Sequence, residues 1–171
     1  FQHAQAIPGI TDGRGIGIIE ARRLMNVNEG LALIAGSPAW TEADRAAFNT
    51  WLSAFYDWLT TSTNGRAEQA AKNNHGTWYD AQAAHLALVL GRTADAKTIL
   101  VGGLTNRLAQ QVEPDGSQPQ ELARTKSLSY SLYNLEALFA CARLAEHVGV
   151  DWWSFATTDG AAHAACLSSN Q

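Results

Sequence analysis

The densest group of chemically active side chains lies in positions 72–80. Asn73, Asn74 and His75 stand at the approach to a predicted helix that is otherwise rich in Ala and Leu. The positive end of a helix dipole favours an anion at that place. Tyr79 follows His75 by four positions and shares its helix face. The alternative interpretation is structural, with the asparagines as helix caps and His75 as a half-buried side chain.

A second polar group lies in positions 121–134. Ser127, Tyr130 and Asn134 follow one another at steps of three and four, and Arg124 precedes them. A solvated helix face is the structural alternative, but such faces usually carry Lys and Glu. A stripe of Ser, Tyr and Asn therefore favours a wet cleft.

The remaining motifs carry less chemistry. The glycine-rich positions 13–17 lack the preceding strand of a phosphate loop, so they predict a tight entry to the first helix, with Arg14 as a candidate anion contact. No GxSxG, HExxH or P-loop pattern occurs. The histidines show no metal-ligand spacing. We therefore expect no metal and no cofactor.

Five helices are predicted, because apolar residues recur every three or four positions through most of the chain. The first predicted helix covers about 16–35, and the second runs from a capping box at Thr41 and Asp44 to Asn64-Gly65. The third covers 77–90, and the fourth is capped by Thr93. The fifth carries Leu128, Leu132, Leu135 and Phe139 and is ended by Gly149. Gly102-Gly103 lies inside the fourth and predicts a kink or a break.

This pattern predicts an all-α fold. Short connections make neighbouring helices antiparallel, and no fixed-motif repeat of the common solenoid families is visible. Either a helical bundle or an arc of helical hairpins from an α/α toroid fits the periodicity. We expect residues 1–171 to form a single helical domain.

Composition excludes several classes of function. The 171 residues are 46% hydrophobic and 16% charged, which is typical of a globular domain. The net charge of −4 argues against nucleic-acid binding, and no apolar run is long enough to span a membrane. Cys141 and Cys166 either pair or are both buried thiols. Because the chain starts at Phe1, we expect it to be matured or cut from something longer.

The two polar groups together resemble a known family. Asn73-Asn74-His75-Gly76-Thr77-Trp78, followed by the segment 121–130 (ELARTKSLSY), is similar to the alginate-lyase-like polysaccharide lyases. Residues 6–17 also resemble the arm that leads into a helix of that family. The resemblance implies a helical α/α toroid that cleaves alginate or glucuronan by β-elimination. Members are about twice as long, so we expect this chain to be the C-terminal part of an incomplete toroid.

The resemblance also implies roles for individual residues. His75 matches a base or base-assisting histidine, and Tyr130 matches the catalytic tyrosine. Arg124 and Asn74 match groups that neutralise the substrate carboxylate, although the pattern leaves open whether Asn73 or Asn74 faces the substrate. A further carboxylate-neutralising asparagine of some members has no match here. The candidate substrate-binding residues are Asn73, Trp78, Tyr79, Arg14, Lys126 and Asn134.

β-Elimination explains why these residue types are needed. The C5 proton beside a carboxylate is weakly acidic, so donors such as a guanidinium or an amide must hold the developing negative charge. A base takes that proton and an acid protonates the leaving oxygen, and either His75 or Tyr130 is the base. The expected partner is an acidic polysaccharide, together with the missing remainder of the catalytic domain, and the expected location is periplasmic or extracellular.

Two other functions compete with this interpretation. A glycoside hydrolase on a similar toroid needs two carboxylates across a cleft, for which Asp80, Asp115 and Glu121 are the candidates. A non-catalytic or incomplete module that binds uronans without cleaving them is the second alternative.

Overall fold

The computed structural model describes residues 6–157 and is built from helices. An isolated β-bridge joins Ile7 and Thr11. The elements are a 3-10 helix (Gly15–Arg22), α1 (Arg23–Leu33), α2 (Glu42–Thr61), α3 (Thr63–Gln69), α4 (Asn74–Val89), α5 (Thr93–Gly103), a π-helical turn (Leu104–Leu108), α6 (Ala109–Gln111), α7 (Pro119–Leu122) and α8 (Ser127–Glu146).

Helix α4 is the central element of the described structure. It packs most extensively against α8 and α5, and also touches the 3-10 helix, α1, α2 and α3. Every residue from Gly76 to Ala87 is buried, so α4 has no solvated face to give it an amphipathic pattern. It begins three positions before the predicted start because the Asn73 side chain accepts a hydrogen bond from the His75 N–H and caps it.

The first predicted helix is two different elements. Its first eight residues form a 3-10 helix, whose three-residue period places Gly15, Ile18 and Ala21 on one buried face. A Cβ at Gly15 would lie 2.8 Å from the carbonyl oxygen of Asn64, so only glycine allows this close contact with α3. The prediction of one continuous α-helix is wrong here because packing against α3 favours the tighter period.

The capping box at the start of α2 is confirmed. Thr41 Oγ1 accepts from the Asp44 N–H, and Asp44 Oδ2 accepts from the Thr41 N–H. The predicted end at Asn64-Gly65 is wrong, because α2 ends at Thr61 and the Ser62 hydroxyl oxygen caps α3 by accepting from the Gly65 N–H at 3.0 Å. The Asn-Gly pair therefore lies in the first turn of α3.

The predicted break at the glycine pair is confirmed. Helix α5 ends at Gly103 and continues into the π-helical turn. The ring of Trp152 fills the space beside Gly103, where a Cβ would lie 2.7 Å from Cζ2. Trp152 is fully buried and its Nε1–H donates to the Leu100 carbonyl at 3.0 Å, so the ring is fixed in that place.

We expect Gly103→Ala to destabilise the protein by about 1–3 kcal/mol, because the new methyl group overpacks against the fixed Trp152 ring. Gly102→Ala is the matched control. Its Cβ would meet only Asn106 Nδ2 at 3.6 Å, so this change should stabilise by up to about 1 kcal/mol through helix propensity. Urea unfolding followed by circular dichroism measures both. Equal effects of the two substitutions would contradict the packing explanation.

Helix α8 shows a different buried face from the predicted one. Its buried side chains include Asn134, Ala137 and Leu138, whereas Leu128 and Leu132 of the leucine stripe are 72% and 57% exposed. The stripe does mark one side of the helix. The opposite side packs against α4. It carries Asn134 and small residues such as Ala137, which allow the two helices to approach closely.

No helix within residues 6–157 is both long and apolar enough to cross a bilayer.

Cys141 is buried against α4, 3.8 Å from the Thr77 carbonyl oxygen, and burial raises the pKa of its thiol well above the usual range. The proposed partner Cys166 lies outside the described residues.

Candidate active site

The two polar sequence groups meet at the start of α4. The Glu121 carboxylate accepts a hydrogen bond from the Asn74 backbone N–H at 2.6 Å and from the Asn74 Nδ2 at 2.8 Å. Glu121 and Asn74 are both about 1% exposed. A carboxylate at the N-terminus of a helix also interacts favourably with the helix dipole. This buried contact joins the segment that carries Arg124 and Tyr130 to the segment that carries His75.

His75 is paired with a carboxylate that the sequence did not point to. Its Nδ1 lies 2.7 Å from Glu68 Oε1, on the last turn of α3. Glu68 is fully buried, whereas the His75 side chain is 18% exposed. Within the described part of the chain, His75 Nε2 makes no hydrogen bond. The imidazole is therefore held at one nitrogen and open at the other.

The two asparagines before His75 differ in what their side chains can reach. The Asn74 amide nitrogen is engaged by Glu121 inside the protein, so Asn74 joins the two segments and does not present a donor to the surface. Asn73 is half-buried, and its Oδ1 accepts from the His75 N–H. Among residues 6–157 no group accepts from Asn73 Nδ2. The surface-facing amide of the motif is therefore that of Asn73.

Arg124 and Tyr130 form a second pair close to the α8 N-terminus. The Arg124 guanidinium carbon lies 4.0 Å from the centre of the Tyr130 ring, a cation–π stack. Both side chains are partly exposed, and neither the guanidinium nor the phenol hydroxyl makes a hydrogen bond to another described residue. Stacking fixes the guanidinium plane while its N–H donors stay free to bind a carboxylate.

Asn134 is a structural residue rather than a surface contact. It is fully buried, and its Nδ2 donates to Gln111 Oε1 at 2.9 Å and to Gln118 Oε1 at 2.8 Å. Gln111 Oε1 also accepts from the Thr77 hydroxyl at 3.0 Å. The expectation that Asn134 binds substrate is therefore corrected: this network connects α4, α6 and α8 below the candidate site.

Trp78 and Tyr79 are likewise core side chains. Trp78 is 5% exposed, and its ring packs against Tyr133 and under the Arg22 guanidinium. Tyr79 is 2% exposed and donates to the Leu59 carbonyl, and burial raises the pKa of its phenol. The expectation that these two rings contact sugar is wrong in this structure, because both rings are buried. The face of α4 on which they lie is covered by neighbouring helices.

The remaining candidates, Arg14 and Lys126, are exposed at the ends of their elements. Arg14 precedes the 3-10 helix, whose first residue packs against the backbone of Glu68. Lys126 precedes α8, two residues after Arg124. Both positive charges therefore flank the elements that carry the His75 and Arg124 pairs.

The turn that leads into the site is fixed by a buried ion pair. Arg107 donates to both carboxylate oxygens of Asp80, at 2.8 and 3.2 Å. It also donates to the carbonyl oxygens of Gln69, the last residue of α3, and of Ala71, which lies between α3 and α4. A Cβ at Gly76 would lie 2.1 Å from the Ala71 carbonyl oxygen, so the glycine after His75 is required by this close packing.

The carboxylates considered for a hydrolase are all engaged elsewhere. Asp80 is buried and paired with Arg107, and Glu121 is buried on Asn74. Asp115 lies in an exposed turn, where it accepts from the Ser117 N–H. None of them forms a facing pair across a cleft. No cluster of three or more metal-binding side chains lies within residues 6–157.

Glu68 and Gln111 are not among the residues predicted from the sequence. Glu68 belongs to a different helix from His75, and a helical period cannot relate residues on two helices. Its one sequence signal is a carboxylate in an Ala-rich segment close to the His75 motif. No pattern in the sequence distinguishes Gln111, which stands just before a polar turn.

Comparison with known proteins identifies a family and a similar fold. The sequence profile described as "Alginate lyase" matches residues 1–168. A crystal structure of an alginate lyase from Bacteroides ovatus superimposes with a TM-score of 0.92 at 34% identity. The match covers 98% of this chain and 45% of that one, so this chain spans less than half the length of the solved protein. No match is found among curated proteins.

These similarities bear on both fold and family. A TM-score of 0.92 over nearly the whole chain confirms the predicted all-α, toroid-like arrangement of helical hairpins. The profile covers almost every residue, including both segments that meet at the buried contact between Asn74 and Glu121. The chain belongs to the alginate lyase family.

Proposed function

We propose that this chain forms part of a polysaccharide lyase that cleaves 1,4-linked uronic-acid polymers, alginate or glucuronan, by β-elimination. The observation that carries the proposal is the buried contact between Asn74 and Glu121. It connects an open imidazole, that of His75, with the stacked pair of Arg124 and Tyr130 at the surface of the same domain.

Each group has a part in the proposed reaction. Arg124 and the Asn73 amide bind the substrate carboxylate and hold the charge that develops on it. The C5–H electron pair forms the C4–C5 double bond while the C4–O bond breaks. His75 and Tyr130 are the candidates for accepting the C5 proton and for protonating the leaving oxygen. Lys126 and Arg14 attract the polyanion to a protein of net negative charge.

The chain is proposed to act as one portion of a longer catalytic domain. Its match covers less than half of the Bacteroides ovatus protein, and the Leu128 and Leu132 side chains are exposed. The partners are then an acidic polysaccharide and the rest of the domain. A periplasmic or extracellular location is proposed, since a polymer of this kind does not enter the cytoplasm.

The test is a direct assay on separate polymers. Polymannuronate, polyguluronate and glucuronan are incubated with the chain, and the ultraviolet absorbance of the unsaturated product is followed. A rise on one polymer supports β-elimination and names the substrate. New reducing ends without this absorbance would support hydrolysis, and binding without products would support the non-catalytic or incomplete module.

We expect Arg124→Ala to lower kcat by about 10²–10³-fold and to raise KM for the polymer, because a guanidinium on the carboxylate acts both in binding and in the transition state. The absorbance assay over a range of polymer concentrations measures both constants. Arg143→Ala is the matched control, since this exposed arginine lies near the other end of α8. Equal losses in the two variants would indicate a general charge effect and contradict the assignment.

A further inference from the structure

The buried carboxylate of Glu68 lies 2.7 Å from His75 Nδ1. We infer that Glu68 is a positioning residue that keeps the proton of the neutral His75 imidazole on Nδ1 and so presents an unprotonated Nε2 to the substrate. This inference rests on the proposed function in so far as the substrate is concerned. The pairing of Glu68 and His75 itself is a property of the folded chain.

Glu68 is placed where water cannot solvate it. It is fully buried on α3, and the 3-10 helix packs so closely on its backbone that a Cβ at Gly15 would lie 3.3 Å from the Glu68 nitrogen. Its Oε2 is buried without a hydrogen bond in the described structure, and its Oε1 lies 2.7 Å from His75 Nδ1. A buried carboxylate requires a donor, and His75 supplies the one hydrogen bond that its side chain makes among residues 6–157.

This contact selects the state of the imidazole. An ionised carboxylate only accepts hydrogen bonds, so the nitrogen that faces it must carry the proton. The other nitrogen, Nε2, then holds the lone pair, since the hydrogen bond of one ring nitrogen decides the state of the other. His75 Nε2 is open in the described structure and lies on a partly exposed side chain. Glu68 holds the His75 ring, and the Asn73 side chain holds the His75 backbone.

The same carboxylate acts during proton transfer. When Nε2 takes the C5 proton, the imidazole becomes a cation, and the Glu68 charge behind it stabilises that cation without taking the proton itself. A buried negative charge at this distance is effective because little solvent screens it. Glu68 does not touch the substrate, so its contribution should appear in kcat rather than in KM.

The first test uses the 171-residue chain and needs no substrate. Imidazole nitrogen NMR at about pH 8–9 distinguishes the two neutral forms of the ring. His75→Gln identifies the signals of His75 by their loss. We expect a protonated Nδ1 in the wild-type chain and a shift towards a protonated Nε2 in Glu68→Gln, because the new amide can donate to Nδ1. A wild-type ring with its proton on Nε2 would overturn the inference.

The second test is kinetic. On the polymer that the wild-type chain cleaves, Glu68→Gln should lower kcat by about 10²-fold or more with KM little changed, since a positioned base contributes about 10²–10⁴-fold. Glu68→Asp keeps the carboxylate and should recover part of that loss. Glu113→Gln removes the same charge from an exposed turn and should keep wild-type kcat. Wild-type kcat in Glu68→Gln would overturn the inference.

The two tests separate this inference from the proposed function. If the wild-type chain cleaves none of the polymers, either alone or within the longer catalytic domain, the proposed function is contradicted, while the NMR comparison still decides whether Glu68 controls the imidazole. An active chain whose His75 ring keeps the same form in Glu68→Gln contradicts the inference alone. If Glu68→Gln fails to fold, the wild-type spectrum and Glu68→Asp give the decision.

Discussion

Tyr130→Phe is expected to remove nearly all β-elimination, by about 10²–10⁴-fold in kcat or more, while leaving the fold unchanged. The substitution deletes only the hydroxyl group, which makes no hydrogen bond to another described residue. The ring remains and can still stack under the Arg124 guanidinium. The expected loss is the contribution of a proton-transferring group. Product absorbance gives kcat, and circular dichroism reports on the fold.

Tyr133→Phe is the matched control for this prediction. Tyr133 lies about one turn further along α8, and its hydroxyl accepts a hydrogen bond from Arg22 at 2.5 Å. Burial raises the pKa of this phenol. The control should lose some stability through the missing hydrogen bond and keep its turnover. Wild-type kcat in Tyr130→Phe, or an equal loss in both variants, would show that the proton donor or acceptor is another group.

The second large effect concerns stability. Arg107→Met should destabilise the protein by about 3–5 kcal/mol, because it leaves the Asp80 charge buried without its partner. Asp80 is 5% exposed and Arg107 is 6% exposed. The carbonyl oxygens of Gln69 and Ala71 also lose their donors, so the turn before the His75 motif loosens. Chemical unfolding of the variant measures the change.

Two variants control this measurement. Arg45→Met breaks the exposed ion pair with Glu42 and should cost about 1 kcal/mol or less. The double variant Asp80→Leu with Arg107→Met removes both buried charges and should recover part of the loss. The two backbone carbonyls stay without donors, so the recovery is incomplete. A cost for Arg107→Met no larger than that for Arg45→Met would contradict a structural role of the buried pair.

Local signals in the sequence were sufficient for most of the helical architecture. The capping box of Thr41 and Asp44 and the glycine break at the end of α5 each depend on neighbouring residues. Such features form wherever the local chain allows them. The errors in helix boundaries have two causes. Packing against α3 outweighed local preference at the 3-10 helix, and the side-chain caps of Ser62 and Asn73 begin α3 and α4 at positions other than the predicted ones.

The periodicity of a helix could not decide which side is covered. On α8 the leucine stripe is exposed and the side with Asn134 is buried, although the sequence favoured the opposite arrangement. The same difficulty affected Trp78 and Tyr79 on α4, which is buried on all sides. A period of 3.6 defines a face, but only the neighbouring helices determine whether that face meets protein or solvent.

The sequence by itself determined the all-α class, most helix positions, and the two segments whose resemblance indicated the family. Only the tertiary structure joined these segments through Glu121 and Asn74, distinguished Asn73 from Asn74, and placed Glu68 behind His75. These contacts connect residues on different helices or turns. Their partners are selected by burial, because a polar group removed from water must find a donor or acceptor nearby, and no local pattern encodes which one lies within reach.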